Sequence, residues 1–419
     1  MPVCAQTARS TCQFTNMAAG SGAGVVRMNR SVWVLSSAGL VRGMGRAATW
    51  IFLPLILFTG YSLSFFQVGS LIAAMIPVSV FSNFFSGYLG DRYGRRKVAT
   101  IPSFFNSAIM FLIYLNTGSG VPVIMSLWAF GEFFTDMALP AQGAMVGDVS
   151  GGETVRAYSM RRTFSNGGFA ISPALGGLLA ESYGLGIIFL VASVTNLAEG
   201  LILLALLRES FHGAKRERSI ARDIIRPFRD PLFLRLLVII AGLTVLADQF
   251  GPTLTLYLGA VQRLPYFQMG LVYSINGVMV VVLQPYITRI MSRRGSLTRW
   301  LGTGSLIYGA GYVTLLAASL PFFFGAMALI TLGEDMVSPS QQALISMSAP
   351  ADRRAGYFGG YSAVVNASKV VSPLLGTLVL GLGASGPLML WTGLLILSVL
   401  VAAGFLRLRA PGPQQTRDG

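Results

Sequence analysis

Charged residues are scarce in this chain. Asp, Glu, Lys and Arg together make up 11% of its 419 residues, against about 25% in an average soluble domain. So few cannot coat a water-facing surface, which excludes a soluble globular protein. Cysteine is scarcer still. Cys4 and Cys12, both close to the N-terminus, provide neither a disulfide framework nor a thiolate metal site. The only histidine, His212, lies in a polar stretch. There is no helical His-Glu-x-x-His, no nucleophile constellation and no Walker A sequence. Gly381-Leu-Gly-Ala-Ser-Gly386 matches a dinucleotide pattern in letters only, because it joins two apolar runs and follows no strand. Neither an enzymatic activity nor a cofactor or metal is expected. Acids are also few, 16 against 31 basic residues, giving a formal charge of +15.

What is abundant is apolar sequence: 53% hydrophobic residues and a mean hydropathy of +0.64. Apolar runs of about 20 residues are long enough to cross a bilayer as helices. Twelve are expected, at about 32–58, 68–87, 98–116, 122–147, 163–182, 186–207, 233–258, 267–288, 300–318, 322–347, 357–380 and 387–406. Basic residues orient them. With the N-terminus inside, only Arg263 falls in an outside loop, and Arg42, Arg46 and Lys369 fall within spans. The other basic residues lie at the inner face, which accounts for the positive charge without a nucleic-acid partner. Both termini are expected to be cytoplasmic.

The two halves repeat. Asp136-Met-Ala-Leu-Pro140-Ala-Gln142 recurs as Asp335-Met-Val-Ser-Pro339-Ser-Gln341, and Phe66-Gln-Val-Gly69 as Phe267-Gln-Met-Gly270. Asn166 with Ser172-Pro-Ala-Leu-Gly176 recurs as Asn366 with Ser372-Pro-Leu-Leu-Gly376. The offset stays between 198 and 201 residues. An all-α membrane protein of two pseudo-symmetric six-helix bundles follows, 28–207 and 233–408, with a cytoplasmic linker at 208–232 and a tail at 409–419. Paired halves with a site at the membrane midplane are a transporter architecture. In the linker, Ile220, Ile224, Ile225 and Phe228 alternate with Arg218, Arg222, Arg226 and Arg229. That spacing suits either an amphipathic helix on the membrane surface or a solvated basic loop. Residues 1–27 lack an apolar signal core. They are expected to be a disordered, dispensable tail, with Met28 as the true start.

Between the second and third spans lies Gly87-Tyr-Leu-Gly90-Asp91-Arg92-Tyr-Gly94-Arg95-Arg96-Lys97. The matching place in the second half holds a worn copy, Thr288-Arg-Ile-Met-Ser292-Arg-Arg-Gly295. The fifth span carries Gly168-Phe-Ala-Ile-Ser172-Pro173-Ala-Leu-Gly176-Gly177, and the eleventh Ser372, Pro373 and Gly376. Residues 28 to about 408 thereby resemble the major facilitator superfamily. Gly87 to Lys97 looks like its signature loop, and Gly168 to Gly177 like its antiporter motif, with Ser172 where a glycine is usual. Drug–proton antiporters of that family carry a basic residue early in the fourth helix, and this chain has none there. The resemblance implies the twelve-helix major facilitator fold and alternating access about a cavity lined by helices 1, 4, 7 and 10. It also implies that Asp91 meets helix 11 near Tyr357-Phe-Gly359-Gly360 and holds the cytoplasmic side shut, and that the serine–proline–glycine segments lie between the halves.

Ionisable residues inside a span are costly and usually functional. Arg42 and Arg46 share one face of span 1, and Glu132 and Asp136 one face of span 4. Counted from the inner ends, Arg42 and Asp136 lie at roughly 17 Å, and Arg46 and Glu132 at roughly 23 Å. A two-rung ladder, Arg42–Asp136 and Arg46–Glu132, is expected, either structural or functional. In the second half, Lys369 matches Glu334 and Asp335 in depth, with Asp248 slightly deeper. Six acids, the sixth being Glu199, face three bases, so not every acid can be ion-paired. An unpaired acid can exchange a proton for cargo. Asp248 is the first candidate, its alternative being a structural pair with Lys369. Glu199, on a helix expected at the periphery, is read as a bystander. The runs Phe81/Phe84/Phe85, Phe130/Phe133/Phe134 and Phe322–Phe324 either stack on a flat cargo or face lipid.

Together these readings lead to a secondary transporter in the plasma membrane, expected to act as a monomer. Proton-coupled efflux of a small amphipathic or cationic solute fits best. Proton-linked uptake of an anionic metabolite held by Arg42, Arg46 and Lys369 is the alternative, and a non-transporting sensor or partner subunit a third.

Overall fold

The computed structural model describes residues 28–150, 153–210, 226–293, 296–349 and 354–408. The expected N-terminal tail, most of the linker with its amphipathic pattern, and the C-terminal tail lie outside the described residues. Among the described residues there is no strand, only twelve helical rods. They are α1 (Arg30–Leu55, continued by a wide π turn Ile56–Gly60), α2 (Phe65–Ala73 and Met75–Tyr93), α3 (Arg95–Leu115), α4 (Val121–Val149), α5 (Thr154–Tyr183) and α6 (Ile187–Leu206). The second half holds α7 (Pro231–Asp248 and Pro252–Leu256, continued by a π turn Tyr257–Val261), α8 (Tyr266–Arg293), α9 (Leu297–Thr314), α10 (Leu320–Ser348), α11 (Arg354–Leu380) and α12 (Gly386–Arg407).

Nine of these rods are long and apolar enough to cross a membrane by length and composition alone. The exceptions are α4, α5 and α9. On α4 and α5 the polar residues Asp136, Gln142 and Ser172 are buried inside the protein, where neighbouring helices rather than lipid meet them.

Local signals start the helices. Asn29 caps α1 by accepting from Ser31 N–H, and Ser64 with Gln67 forms a capping box on α2. Asp230 caps α7, accepting from Leu232 and Phe233 N–H, and also accepts from the Tyr357 hydroxyl of α11 at 3.0 Å. The signature segment is tighter than a loop. Helix α2 runs on to Tyr93, and Gly94 alone, at φ +93°, turns the chain into α3, a conformation glycine adopts without strain.

Each half packs in the same way. In the first, α1 lies against α5 and α6, and α3 against α4 and α6. In the second, α7 lies against α11 and α12, and α9 against α10 and α12. The halves meet along α5–α8, α2–α11 and α1–α7. The symmetry extends to single hydroxyls. Ser172 Oγ donates to the Met44 carbonyl of α1, and Ser372 Oγ to the Val245 carbonyl of α7, at 3.3 Å. It extends to backbone as well: each π turn is followed by a non-glycine residue at positive φ, Ser62 at 52° and Arg263 at 53°.

One end of the molecule, the basic face, carries the turns after α2, α4, α8 and α10. At the opposite face the halves are in tight contact. A Cβ on Gly177 of α5 would overlap the Tyr266 carbonyl, and one on Gly270 of α8 would overlap the Pro173 carbonyl. In the same way a Cβ on Gly69 of α2 would overlap the Pro373 carbonyl of α11. The two prolines and Gly177 therefore lie between the halves, as expected of these segments. For the other residues that expectation is corrected. Gly168 and Gly176 face α1, Gly376 faces Gln249 and Thr253 of α7, and both serines bond to a helix of their own half. The physical reason is that α5 and α11 are each wedged between two neighbours, so successive residues of one segment look in different directions.

Candidate functional site

A cavity of about 620 Å³ lies between the halves. The first half contributes Arg42, Arg46, Trp50, Asn166 and Phe169. The second contributes Asp248, Phe250, Asn276, Tyr308, Glu334 and Lys369. A side pocket of about 320 Å³ shares Arg46, Trp50, Asp248 and Lys369 with it, and adds Glu132 and Asp136. A vestibule of about 940 Å³ shares Arg42, Ser165 and Asn166 and is lined by the ends of α4, α5, α8 and α10 that lead to the basic face. The cavity is thus open toward the basic face and sealed at the opposite one.

The expected ladder forms in one rung only. Arg46 Nη2 lies 3.2 Å from Glu132 and 3.4 Å from Asp136, so both acids of α4 converge on one guanidinium. Asp136 does not pair with Arg42. Arg42 instead donates to Gln142 Oε1 at 2.8 Å and stands 3.5 Å from Glu199. Gln142 in turn donates to the same Glu199 oxygen at 2.9 Å. Glu199 is 1% exposed, so reading it as a peripheral bystander is also corrected. Helix α6 packs against α1, and its inner face looks at the arginines rather than at lipid.

Among the described residues the second half lacks counterparts of these pairs. The register set by the Met44 and Val245 carbonyls places Ala247 where α1 has Arg46. Asp335, the counterpart of Asp136, is fully buried, and neither carboxyl oxygen has a hydrogen-bond partner among the described residues. Glu334 accepts from Asn276 at 2.9 Å. Asp248 and Lys369 line the same cavity, yet make no ion pair within 4 Å among the described residues. Among the described residues, the interior acids of the first half lie within 4 Å of an arginine, whereas those of the second do not.

Aromatic lining comes from residues no run announced. Trp50, Phe169 and Phe250 form a triangle with ring centroids 5.6–6.4 Å apart on the cavity wall. Phe81, Phe84, Phe130 and Phe322, from the phenylalanine runs, are instead exposed on the protein's outside.

The signature segment latches the first half to itself. Arg95 pairs with Asp148 at the end of α4, and Arg96 N–H donates to Glu209 just beyond α6, at 3.1 Å. Arg92 donates to Tyr88 on its own helix, and Gly90 is buried. The expected Asp91 contact with α11, like any role of Gly87, rests on side chains outside the described residues.

Comparison with known proteins agrees with this architecture. A family model described as Major Facilitator Superfamily matches residues 35–306 and 296–419. The multidrug resistance protein MdtG of Enterobacter lignolyticus is 27% identical over 390 residues, covering 86% of this chain and 88% of that protein. A Na(+), Li(+), K(+)/H(+) antiporter of Planococcus maritimus is 26% identical over 387 residues, covering 82% and 88%. The crystal structure of the nucleoside transporter NupG superimposes with a TM-score of 0.78 at 13% identity, over 91% of this chain and 100% of that one. At that identity the likeness shows the fold alone.

Proposed function

The chain belongs to the Major Facilitator Superfamily, and from that premise we propose that it exports a small amphipathic solute in exchange for protons. It is a membrane transporter and not an enzyme. In this reading the basic face is cytoplasmic, as its surplus of lysine and arginine favours, and the plasma membrane is its site. The cavity then takes up cargo from inside while the opposite face is shut. Rocking of the halves about α5–α8 and α2–α11 exposes it to the other side.

The observation that carries the proposal is Asp248. It lines both the main cavity and the side pocket, where cargo and proton would compete, and no arginine pairs with it among the described residues. Asp335, buried without a partner among the same residues, is the second acid suited to hold a proton, because an ionised carboxylate so enclosed is costly. The aromatic triangle gives an apolar solute a flat surface to stack on. The names of the two relatives, a multidrug resistance protein and a cation/proton antiporter, point the same way. Uptake of an anionic metabolite by Arg42 and Arg46 is weakened by the acids that already occupy both.

The test uses purified protein in liposomes that enclose a pH-sensitive dye. Amphipathic solutes added under an imposed pH gradient are expected to drive proton movement in the native protein. Asp248→Asn should abolish that movement while still binding solute. Normal proton movement in Asp248→Asn would remove Asp248 from the mechanism. Silence of the native protein over a broad solute panel would leave the sensor reading in its place.

A further inference from the structure

Two arginines of α5 have no place in the mechanism above. Arg161 and Arg162 lie before the expected fifth span, where they read as orienting charges. Helix α5 in fact begins at Thr154, two turns earlier, so both are helical. Orienting charges have no need to face the protein's interior, since headgroups serve them as well. These two line the vestibule, opposite Gln284 and Thr288 of α8 and Gln342 of α10. Arg42 closes the inner end.

Among the described residues, no Asp or Glu lines this 940 Å³ space. Arg42 has Glu199 and Gln142 as partners. Neither Arg161 nor Arg162 has an acid within 4 Å among the described residues. Arg161 Nε is buried with no hydrogen-bond partner among them. Unsatisfied buried donors of this kind cost free energy unless a ligand meets them. Guanidinium groups present a planar fork that matches carboxylate, sulfonate and phosphate oxygens in pairs. A chamber of one charge sign with low-dielectric walls also concentrates the opposite ion.

We propose that the vestibule is an oxyanion site: Arg161 and Arg162 hold the carboxylate, sulfonate or phosphate of an amphipathic solute at the entrance to the cavity. The inference rests on the reading that the cavity is the cargo path, and it narrows the cargo. The solute carries an anionic head that stops at the arginines and an apolar body that reaches the Trp50, Phe169 and Phe250 triangle. A purely cationic solute meets repulsion at the same entrance.

The test is equilibrium binding to the full-length protein in nanodiscs of zwitterionic lipid. The probes share one ring system: 2-naphthoate, naphthalene-2-sulfonate, 2-naphthol and 2-naphthylmethylammonium. The two anions are expected to bind about tenfold or more tightly than the ammonium probe. Arg161→Gln with Arg162→Gln should remove that preference, and lysine at both positions should restore part of it. If the double variant fails to fold, Arg162→Gln alone, on the exposed side of α5, is expected to lose most of the preference. Equal affinity for anion and cation in the native protein, or a preference unchanged by these substitutions, overturns the proposal.

Two further arms identify the occupant. Loss of naphthoate binding in nanodiscs containing phosphatidylglycerol would make a lipid headgroup the occupant and overturn the cargo assignment. Competition by millimolar inorganic phosphate as strong as that by naphthalene-2-sulfonate would do the same in favour of a free ion. Failure of this inference is distinct from failure of the transport reading. Anion binding without any proton movement sinks the latter alone, and proton movement driven by cations without anion binding sinks the former alone.

Discussion

Replacing Gly270 by valine is expected to leave a folded protein that can no longer seal its opposite face. The new Cβ would overlap the Pro173 carbonyl, a backbone atom that cannot swing aside as a side-chain tip can. Overpacking of this kind costs about 1–3 kcal/mol, borne here only by the arrangement in which α5 and α8 touch. That is roughly a five- to 150-fold shift in the ratio of the two arrangements. Spin labels at Thr59 and Val261, one in each half at the sealed face, should move apart, and transport should fall in proportion. Gly177→Val, which would overlap the Tyr266 carbonyl from the other side of the same seam, should behave alike. A methyl group at Gly325 would meet nothing within 4 Å, so Gly325→Ala is the control and should leave both readouts unchanged. An unaltered label distance in Gly270→Val would mean that this seam does not open during transport.

Glu199→Ala is the second substitution with a large expected effect, this time on stability. It strands the Arg42 guanidinium beside α6 with Gln142 as its remaining partner. Removing one member of a buried pair typically costs about 3–5 kcal/mol, whereas replacing both by apolar residues of similar size is often nearly neutral. Unfolding of the detergent-solubilised protein should show Glu199→Ala and Arg42→Ala each strongly destabilised. The double variant Arg42→Met with Glu199→Met should recover most of the loss. A loss in the double variant equal to the sum of the two single losses would mean that Arg42 and Glu199 do not depend on each other.

Much of this architecture can be read in the letters, for a physical reason. A bilayer imposes one length on every crossing helix, so runs of about 20 apolar residues locate the rods. The recurrence of Asp136 to Gln142 as Asp335 to Gln341 locates the two halves. The Arg46–Glu132 contact follows from equal depth and four-residue spacing. The partner of Arg42 does not, because depth places a residue along a helix axis and says nothing about rotation around it. Glu199 reaches Arg42 because α6 turns that face to α1, a consequence of packing. Arg161 and Arg162 read as flanking charges because hydropathy reports where lipid begins, whereas α5 continues past that boundary. The aromatic wall is hidden for a related reason: Trp50, Phe169 and Phe250 come from three different parts of the chain, and no single stretch of sequence holds the pattern.

The matched connectors at Ser62 and Arg263 carry a consequence of another kind. A left-handed backbone costs a non-glycine residue about 1–2 kcal/mol, and neither a serine nor an arginine has a chemical need for it. Yet both adopt it, 201 positions apart, each after a five-residue π turn. Two independent origins for so particular a shape are far less economical than one. A shared connector of this form is what duplication of one six-helix segment would leave. The side chains differ between the halves: among the described residues the first half's interior acids lie within 4 Å of arginines and the second half's do not. At Ser62 and Arg263 the letters differ and the torsion angles agree, so the backbone carries the repeat through a position where the side chains do not.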